Sequence, residues 1–277
     1  MLILTNKAIN AIFNNENGGT IDLFRPKSMQ DDEKDKDGKK TGRKLAGASI
    51  ANITGNETLS GFDRLIYFAL CTIMRDYGIN KPFSISKIYR LITGKNKGSI
   101  DVNSGFRKKF FKSLQALQGV RFTIYNLYQD KQRNSERKDG ENTALIEYIL
   151  IQRQGKDGKD KTPLIELKRK GLLFNFSQQC NQVRSVEPEI MLPVKSEMQL
   201  LLQWHLIRRI LFRKHERAGD NISQSVATLC NKYGVFLTNK KRVFNYVSFC
   251  LNEWQKIGFI KSYTVKNAGD LIEIKCK

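Results

Sequence analysis

The stretch "TNKKRVFNYVSFCLNEWQKIGFI" (238–260) has the clearest helical pattern of the chain. Its apolar residues recur every three or four positions, which is the period of one face of an α-helix. Thr238 can cap the first turn with its hydroxyl, and Gly258 can end the last one. The sequence therefore predicts an amphipathic helix between these two residues. Its buried face is predicted to consist of Val243, Val247, Cys250, Leu251, Trp254 and Ile257.

Three consecutive cations, Lys240, Lys241 and Arg242, fall in the first turn of this helix. The helix dipole already places partial positive charge at that end, so the three cations cost a little stability. An anionic partner would offset this cost. Two interpretations stay open from this stretch alone, a DNA-recognition helix and a basic surface helix.

Two short strands are predicted after the helix, "FIKSYTV" (259–265) and "LIEIKC" (271–276), with a turn at 267–270. A helix followed by a β-hairpin is the second half of a winged helix, whose exposed helix start enters a DNA groove. Cations there can bind phosphate, arginine can bind a base edge, and asparagine can pair with adenine. The predicted DNA-binding residues of this helix are Asn239, Lys240, Lys241, Arg242 and Asn245.

The first half of the chain has a similar order of elements. Three helices are predicted at 59–78, 83–94 and 99–119, with Ser60 and Asp63 forming a capping box in the first of them. Two strands follow, at 120–128 and 144–151, joined by the polar loop 129–143 as a long wing. The predicted DNA-binding residues here are Asn103, Arg107, Lys108, Lys109 and Lys112 of the third helix, with Lys131 and Arg133 of the wing.

The wing 129–143 also has a simpler interpretation. Its acidic and basic residues nearly balance, which is typical of a solvated, flexible loop. In the second half, helices are predicted at 196–214 and 222–234, ahead of the helix that follows Thr238. The segment 153–162 is predicted to be a hairpin turn, and 163–176 a connection between the halves.

The two halves together predict an α+β fold of two tandem winged-helix domains, with helices packed against small antiparallel β-hairpins. Residues 1–57 are an N-terminal extension, in which the charge-dense run 28–44 is predicted to be a mobile loop. The first domain spans 58–180 and the second 196–277, and 181–195 is the predicted linker.

Positive charge is concentrated in both halves of this 277-residue chain, whose formal net charge is +21. Residues 58–175 carry 23 Lys and Arg against 11 Asp and Glu, and residues 195–277 carry 15 against 6. The excess therefore belongs to the two predicted domains and not to a tail. Basic domains of this kind usually bind polyphosphate.

The segments "LSGFDRLIYFALCTIM" (59–74) and "FSISKIYRLITG" (83–94), with the basic third helix, resemble plasmid replication initiator (Rep) proteins of the tandem winged-helix type. The resemblance covers about residues 58–277, and residues 1–57 have no counterpart in it. It implies binding to repeated origin sequences by the second domain, with dimerisation or further DNA contact by the first. It also implies a homodimer, recruitment of host replication proteins and no catalysis.

The motifs of several enzyme classes are absent from the sequence. It lacks a P-loop, a His-x-His pair and a Cys-x-x-Cys pair, so no enzyme activity, cofactor or metal is predicted. It also lacks a signal peptide and a long apolar run, which predicts a cytoplasmic protein that does not enter a membrane. The alternatives are a winged-helix transcriptional repressor, a metal-dependent relaxase or nuclease, and an RNA-binding or assembly protein.

Overall fold

The structure, a computed structural model, describes most of the chain. The described residues are 2–4, 12, 21–23, 32–34, 40–55, 59–94, 101–130, 135–155, 158, 160–179, 183–216, 221–232, 240–267 and 270–276. They divide into two compact units. The first unit comprises Leu2–Ile88 and Ser99–Val183, and the second comprises Tyr89–Gly98 and Arg184–Lys277.

The fold is α+β, with helices and small antiparallel sheets. The helices in chain order are α1 (Gly61–Asp76), α2 (Ile85–Thr93), α3 (Ser104–Gly119), α4 (Leu172–Gln179), α5 (Glu197–Glu216), α6 (Val226–Lys232) and α7 (Lys240–Lys256). The strands are β1 (Leu2–Leu4), β2 (Ile21–Leu23), β3 (Asp32–Lys34), β4 (Lys40–Thr54), β5 (Arg121–Asp130), β6 (Ser135–Ala144), β7 (Tyr148–Gln154), β8 (Asp160–Leu167), β9 (Val183–Ser185), β10 (Asn221–Ser225), β11 (Ile260–Lys266) and β12 (Leu271–Cys276).

Helix α1 is the centre of the first unit, and most of its residues are buried. The predicted capping box is confirmed: the Ser60 side chain accepts from the amide of Asp63, and Asp63 accepts from the Ser60 amide at 2.6 Å. Asp63 also accepts a hydrogen bond from the hydroxyl of Ser113, on α3. One buried carboxylate therefore fixes the start of α1 and its packing against α3. The rings of Phe62 and Phe106 meet edge to face beside this contact, with centroids 5.7 Å apart.

The prediction of a mobile loop at 28–44 is wrong for the residues that the structure describes there. Residues 32–34 form β3, and β4 begins at Lys40 and pairs antiparallel with β5 along most of its length. The charged run is in part the edge of a sheet, where charged residues are tolerated because one side of the strand faces solvent. Beyond the charged run, β4 also contains the fully buried residue Ile50, whose apolar side chain is typical of a strand in a sheet.

The prediction of a polar loop at 129–143 is also wrong for most of that range. Residues 135–144 are β6, which pairs with β5 in an unbroken ladder from Arg121↔Ala144 to Asp130↔Ser135. The predicted strand 144–151 is interrupted at 145–147, and β7 pairs instead with β8. Strand propensity is weak in 135–143, and backbone pairing along ten residues outweighs it.

The hairpin turn predicted at 153–162 is confirmed by the β7–β8 pairing. The connection predicted at 163–176 contains more than half of β8 and more than half of α4 instead. Phe83 and Ile165 exchange backbone hydrogen bonds at 2.9 Å, which attaches the hairpin to the segment ahead of α2. The helix predicted at 222–234 likewise begins as strand β10, because Ile222 and Gln224 are buried in alternation.

The second unit has the element order α5, β10, α6, α7, β11, β12, and β12 is the central strand of its sheet. The predicted helix after Thr238 is confirmed as α7, and the predicted hairpin as β11–β12. Its buried face contains the predicted residues except Ile257, which lies beyond the helix end and is exposed. Gly258 follows with a φ of 72°, a left-handed conformation that glycine adopts without strain.

The unit boundary at 183/184 lies inside the predicted linker 181–195. Two buried side chains hold the later part of this segment in the second unit. The indole of Trp254 donates to the carbonyl of Ile190 at 2.8 Å. The amide of Gln203 pairs with both backbone groups of Leu192, at 3.1 and 3.2 Å. Residues 184–195 therefore pack as part of the second unit.

Candidate nucleic-acid interface

The start of α7 is held in place by an ion pair with the β11–β12 turn. The ammonium of Lys240 lies 2.7 Å from Oδ1 of Asp270. The hydrogen bond from Lys240 holds the pKa of the Asp270 carboxyl below its usual value. The backbone carbonyl of Asp270 also accepts from the amide of Val226, the first residue of α6, at 2.8 Å. One turn residue thus fixes the starts of two helices.

The next polar residues of α7 point away from the core. Lys241, Arg242 and Asn245 are exposed, and among the described residues none of the three makes an ion pair or a hydrogen bond to another side chain. Arg242, Asn245 and Phe249 follow one another at i, i+3 and i+7, so they lie along one side of the helix. This set, Arg242, Asn245 and Phe249, is called the α7 face below.

The α7 face borders an open cavity of about 470 Å³ between α7 and the segment that leads into α5. Among the lining residues that the structure describes, the charged ones are Lys195 and Arg242, and both are cations. Its lining combines a cationic rim with apolar side chains: Pro193, Lys195, Met198, Gln199, Arg242, Asn245, Tyr246 and Phe249.

A buried polar network supports the α7 face from below. The amide of Gln203, fully buried on α5, donates to the hydroxyl of Tyr246 at 2.9 Å. Burial raises the pKa of the Tyr246 phenol well above its ordinary value, so the ring stays neutral. The Tyr246 and Phe249 rings are 6.1 Å apart, centroid to centroid. Phe249 is thus supported by a ring whose own position is fixed.

The β11–β12 hairpin, in the place of a wing, is tied to α7 as well. The hydroxyl of Tyr263 donates to Oδ1 of Asn252 at 2.8 Å. Across the hairpin, Lys266 pairs with Glu273 at 2.9 Å. Lys261 and Lys275 are exposed. The hairpin and α7 therefore form one surface, with further cations beside the helix.

Helix α3 carries the predicted site of the first unit. Asn103 is its N-cap: the side-chain oxygen accepts from the amide of Phe106 at 2.7 Å. Arg107 lies 3.2 Å from Asp101 and donates to the hydroxyl of Thr162 at 3.4 Å. Both residues thus have structural contacts within the unit. The exposed cations of α3 are Lys108, Lys109 and Lys112.

Three predicted site residues, Asn239, Lys131 and Arg133, lie outside the described residues, as does the predicted cap Thr238. The structure brings Lys240, Lys241, Arg242 and Asn245 together at the start of α7. Within the described ranges, no group of three or more His, Cys, Asp or Glu side chains is placed to hold a metal ion. In the same ranges, no helix is long and apolar enough to cross a bilayer.

Sequence reasoning missed three residues that form or support this surface. Gln203 and Asp270 act through partners 43 and 30 positions away along the chain, and no local pattern reveals such pairs. Phe249 could have been found, because it is a large apolar residue that lies off the apolar stripe of its own helix.

Two solved structures are similar to this chain in their fold. One, domains 2 and 3 of RctB, covers 90% of this chain and 90% of its own, at 15% identity and a TM-score of 0.45. The other, a selenomethionine derivative of the same two domains, covers 99% of each chain at 14% identity and a TM-score of 0.46. Likenesses of this size do not identify a function. No family model and no curated protein matches the sequence.

Proposed function

We propose that the protein binds double-stranded DNA sequence-specifically and acts as a replication initiator. The observation that carries the DNA-binding proposal is the start of α7. There, Lys241, Arg242 and Asn245 are exposed together on a helix that Lys240 and Asp270 anchor to the adjacent hairpin.

The order of elements in the second unit supports this proposal. A helix, a strand, two helices and a two-stranded hairpin, with the early strand on the outside of the sheet, is the arrangement of a winged helix. In such a domain the second of the paired helices enters the major groove, and here that helix is α7. The hairpin β11–β12 is then the wing that lies along the DNA backbone.

The chemistry of the exposed residues fits the two tasks of such a helix. Lysine often binds phosphate as a point charge, and a phosphate contact carries no sequence information directly. Arginine can bind guanine through two parallel hydrogen bonds, and asparagine can bind adenine in the same way. Lys241 is thus proposed to position α7, and Arg242 and Asn245 to read bases. Lys240 contributes mainly by holding the hairpin turn.

The first unit is proposed to be a second winged-helix module that contacts DNA through phosphates. Its helices α1 to α3 are followed by the β5–β6 hairpin, the same succession of helices and hairpin. The exposed cations of α3 are Lys108, Lys109 and Lys112. Lysines alone give sequence-independent affinity that falls with salt.

The role of initiator rests on the resemblance of residues 59–74 and 83–94 to plasmid replication initiators. In this proposal a cytoplasmic, homodimeric protein binds origin repeats and recruits host replication proteins. It catalyses no reaction itself. A repressor built from the same modules would bind DNA in the same way and would differ only in what it recruits.

A selection experiment tests both parts of the proposal, sequence-specific DNA binding and the initiator role. The full-length chain is used to select duplexes from a random library, and the enriched sequence is then placed as the sole origin on a reporter plasmid in cells that express the protein. We expect one enriched motif and replication that depends on the protein. Absence of any enriched motif would contradict sequence-specific binding. An enriched motif without replication would contradict the initiator role and leave DNA binding intact.

A further inference from the structure

The exposed aromatic ring on α7 has no role in the contacts proposed so far. Phe249 is 40% exposed, while its neighbours Tyr246 and Cys250 are buried. Single exposed apolar residues are common on protein surfaces, so exposure alone decides nothing. What distinguishes Phe249 is its position in line with Arg242 and Asn245, at the edge of the cavity that Arg242 also lines.

We propose that Phe249 is a specificity-determining residue that contacts the C5-methyl group of a thymine in the major groove, a proposal that rests on the proposed function of α7. An apolar side chain in van der Waals contact with this methyl group distinguishes thymine from the other bases. The edge of the phenyl ring presents such a surface. No polar group of Phe249 is available for a different kind of readout.

The spacing along α7 fits the spacing of bases. A helix rises 1.5 Å per residue, so Arg242 and Phe249 are about 10.5 Å apart along the axis. Bases on one strand are about 3.4 Å apart, so this distance corresponds to about three base steps. Asn245 and Phe249 are about 6 Å apart by the same rise, or about two base steps. A helix lying along the groove thus places the three side chains of the α7 face over a short run of consecutive bases.

The ring is also held in a fixed position, which a specific contact requires. It packs on Tyr246, at 6.1 Å between centroids and 34° between ring planes. Tyr246 is in turn fixed by the hydrogen bond from Gln203 at 2.9 Å. A ring with a rigid support loses little conformational freedom on binding, so its contact contributes to affinity with a small entropic cost.

The test replaces the methyl group and the ring separately. The duplex selected by the full-length chain is prepared with each thymine changed in turn to uracil, which removes only the C5-methyl group. Binding is measured for the wild type and for Phe249→Ala. At one position we expect the change to uracil to weaken wild-type binding about fourfold, the value of one buried methyl group. The same change should not weaken Phe249→Ala further.

Two control variants separate this contact from a general loss of apolar surface. Ile257, 51% exposed beyond the end of α7, is not on the α7 face, so Ile257→Ala should keep the wild-type uracil penalty. Phe249→Leu keeps an apolar contact and should keep part of the penalty.

The outcomes that overturn the proposal differ from those that overturn DNA reading by α7. An equal uracil penalty in the wild type and Phe249→Ala would show that another group contacts the methyl. Wild-type affinity and base preference in Phe249→Ala would reassign the ring to a protein partner. Either result leaves sequence-specific binding standing. The absence of any selected duplex would overturn both proposals.

Discussion

Helices α3 and α7 are both basic, yet the structure uses their polar residues differently. In α3, Asn103 caps the helix and Arg107 contacts Asp101 and Thr162. Its exposed cations are all lysines. Among the described residues of α7 that are predicted to bind DNA, Lys240 forms an ion pair with Asp270, and Arg242 and Asn245 are exposed.

The number of cations on a helix therefore does not identify it as a base-reading helix. Arginine and asparagine can read base edges, whereas lysine mainly binds phosphate. At the start of α3 the two residues of these types, Asn103 and Arg107, are engaged in capping and in contacts within the unit. At the start of α7, Arg242 and Asn245 are left exposed. The proposed difference in function, with α7 reading bases and α3 binding phosphate, follows from these local contacts.

The largest effect is expected from Arg242→Ala. If Arg242 binds a base through two hydrogen bonds, its loss should cost about 1–3 kcal/mol of binding free energy and relax the preference at one base pair. Lys241→Ala is the matched control, and it should weaken binding to all duplexes alike. Fluorescence anisotropy titrations on the selected duplex and its single-base variants measure both. Unchanged preference in Arg242→Ala would remove the base-reading role from Arg242.

The next effect concerns the two anchoring carboxylates. Asp63→Ala removes a capping box and leaves the buried hydroxyl of Ser113 without its acceptor, so the free energy of unfolding should fall by about 2 kcal/mol. Asp270→Ala breaks an ion pair near the surface, which contributes little to stability. It should instead reduce sequence preference, because α7 loses its anchor on the hairpin turn.

Urea unfolding and duplex titration of both variants measure these two changes, with Ser113→Ala as the control for the first unit. Ser113→Ala should destabilise less than Asp63→Ala, since the capping box remains. Loss of stability in Asp270→Ala as large as that in Asp63→Ala would contradict the difference between the two anchors.

A smaller effect is expected from the triple variant Lys108→Ala, Lys109→Ala, Lys112→Ala. Each phosphate contact that is lost should reduce the slope of log affinity against log salt by about 0.9. Binding to all duplexes should weaken by the same factor. The measurement is a series of titrations at several salt concentrations with the full-length chain. An unchanged slope would show that the α3 lysines do not contact DNA.

The smallest effect is the pH dependence of the Lys240–Asp270 pair. Because the pKa of Asp270 is lowered in the folded state, the contribution of the pair is complete above the unfolded value of 3.8. It is lost as the pH falls through the lower folded-state pKa. Unfolding free energies of the wild type and Asp270→Asn should therefore converge as the pH falls. A difference in unfolding free energy between the two proteins that grows as the pH falls would contradict this prediction.

The sequence predicts those elements of the fold whose signals are local. The capping pair Ser60 and Asp63 marks the start of α1, and a 3.6-residue apolar period marks α7. Strands β4 and β6 could not be recognised in the same way. Most residues of β6 are charged or polar, and β4 begins in a charged run; both are strands because each pairs along its length with β5.

The residues of the candidate site also differ in how far a local sequence pattern predicts their environment. The positions of Lys241, Arg242 and Asn245 outside the apolar stripe of α7 follow from helical periodicity, and the structure shows all three exposed. The structural engagement of Asn103, Arg107 and Lys240 depends on tertiary contacts or on which residue begins a helix. Sequence patterns do not fix either of these, so the prediction that all three bind DNA rests on their positions in the predicted helices and on the chemistry of their side chains.

The proposal that α7 reads bases and α3 binds phosphate is tested most directly by the base preference of two full-length variants. One is Arg242→Ala, and the other is the triple lysine variant of α3. Each is used to select duplexes from the same random library as the wild type. We expect the α3 variant to enrich the wild-type motif with lower affinity, and Arg242→Ala to enrich a motif that is degenerate at one position. A wild-type motif from Arg242→Ala, together with an altered motif from the α3 variant, would contradict the proposal.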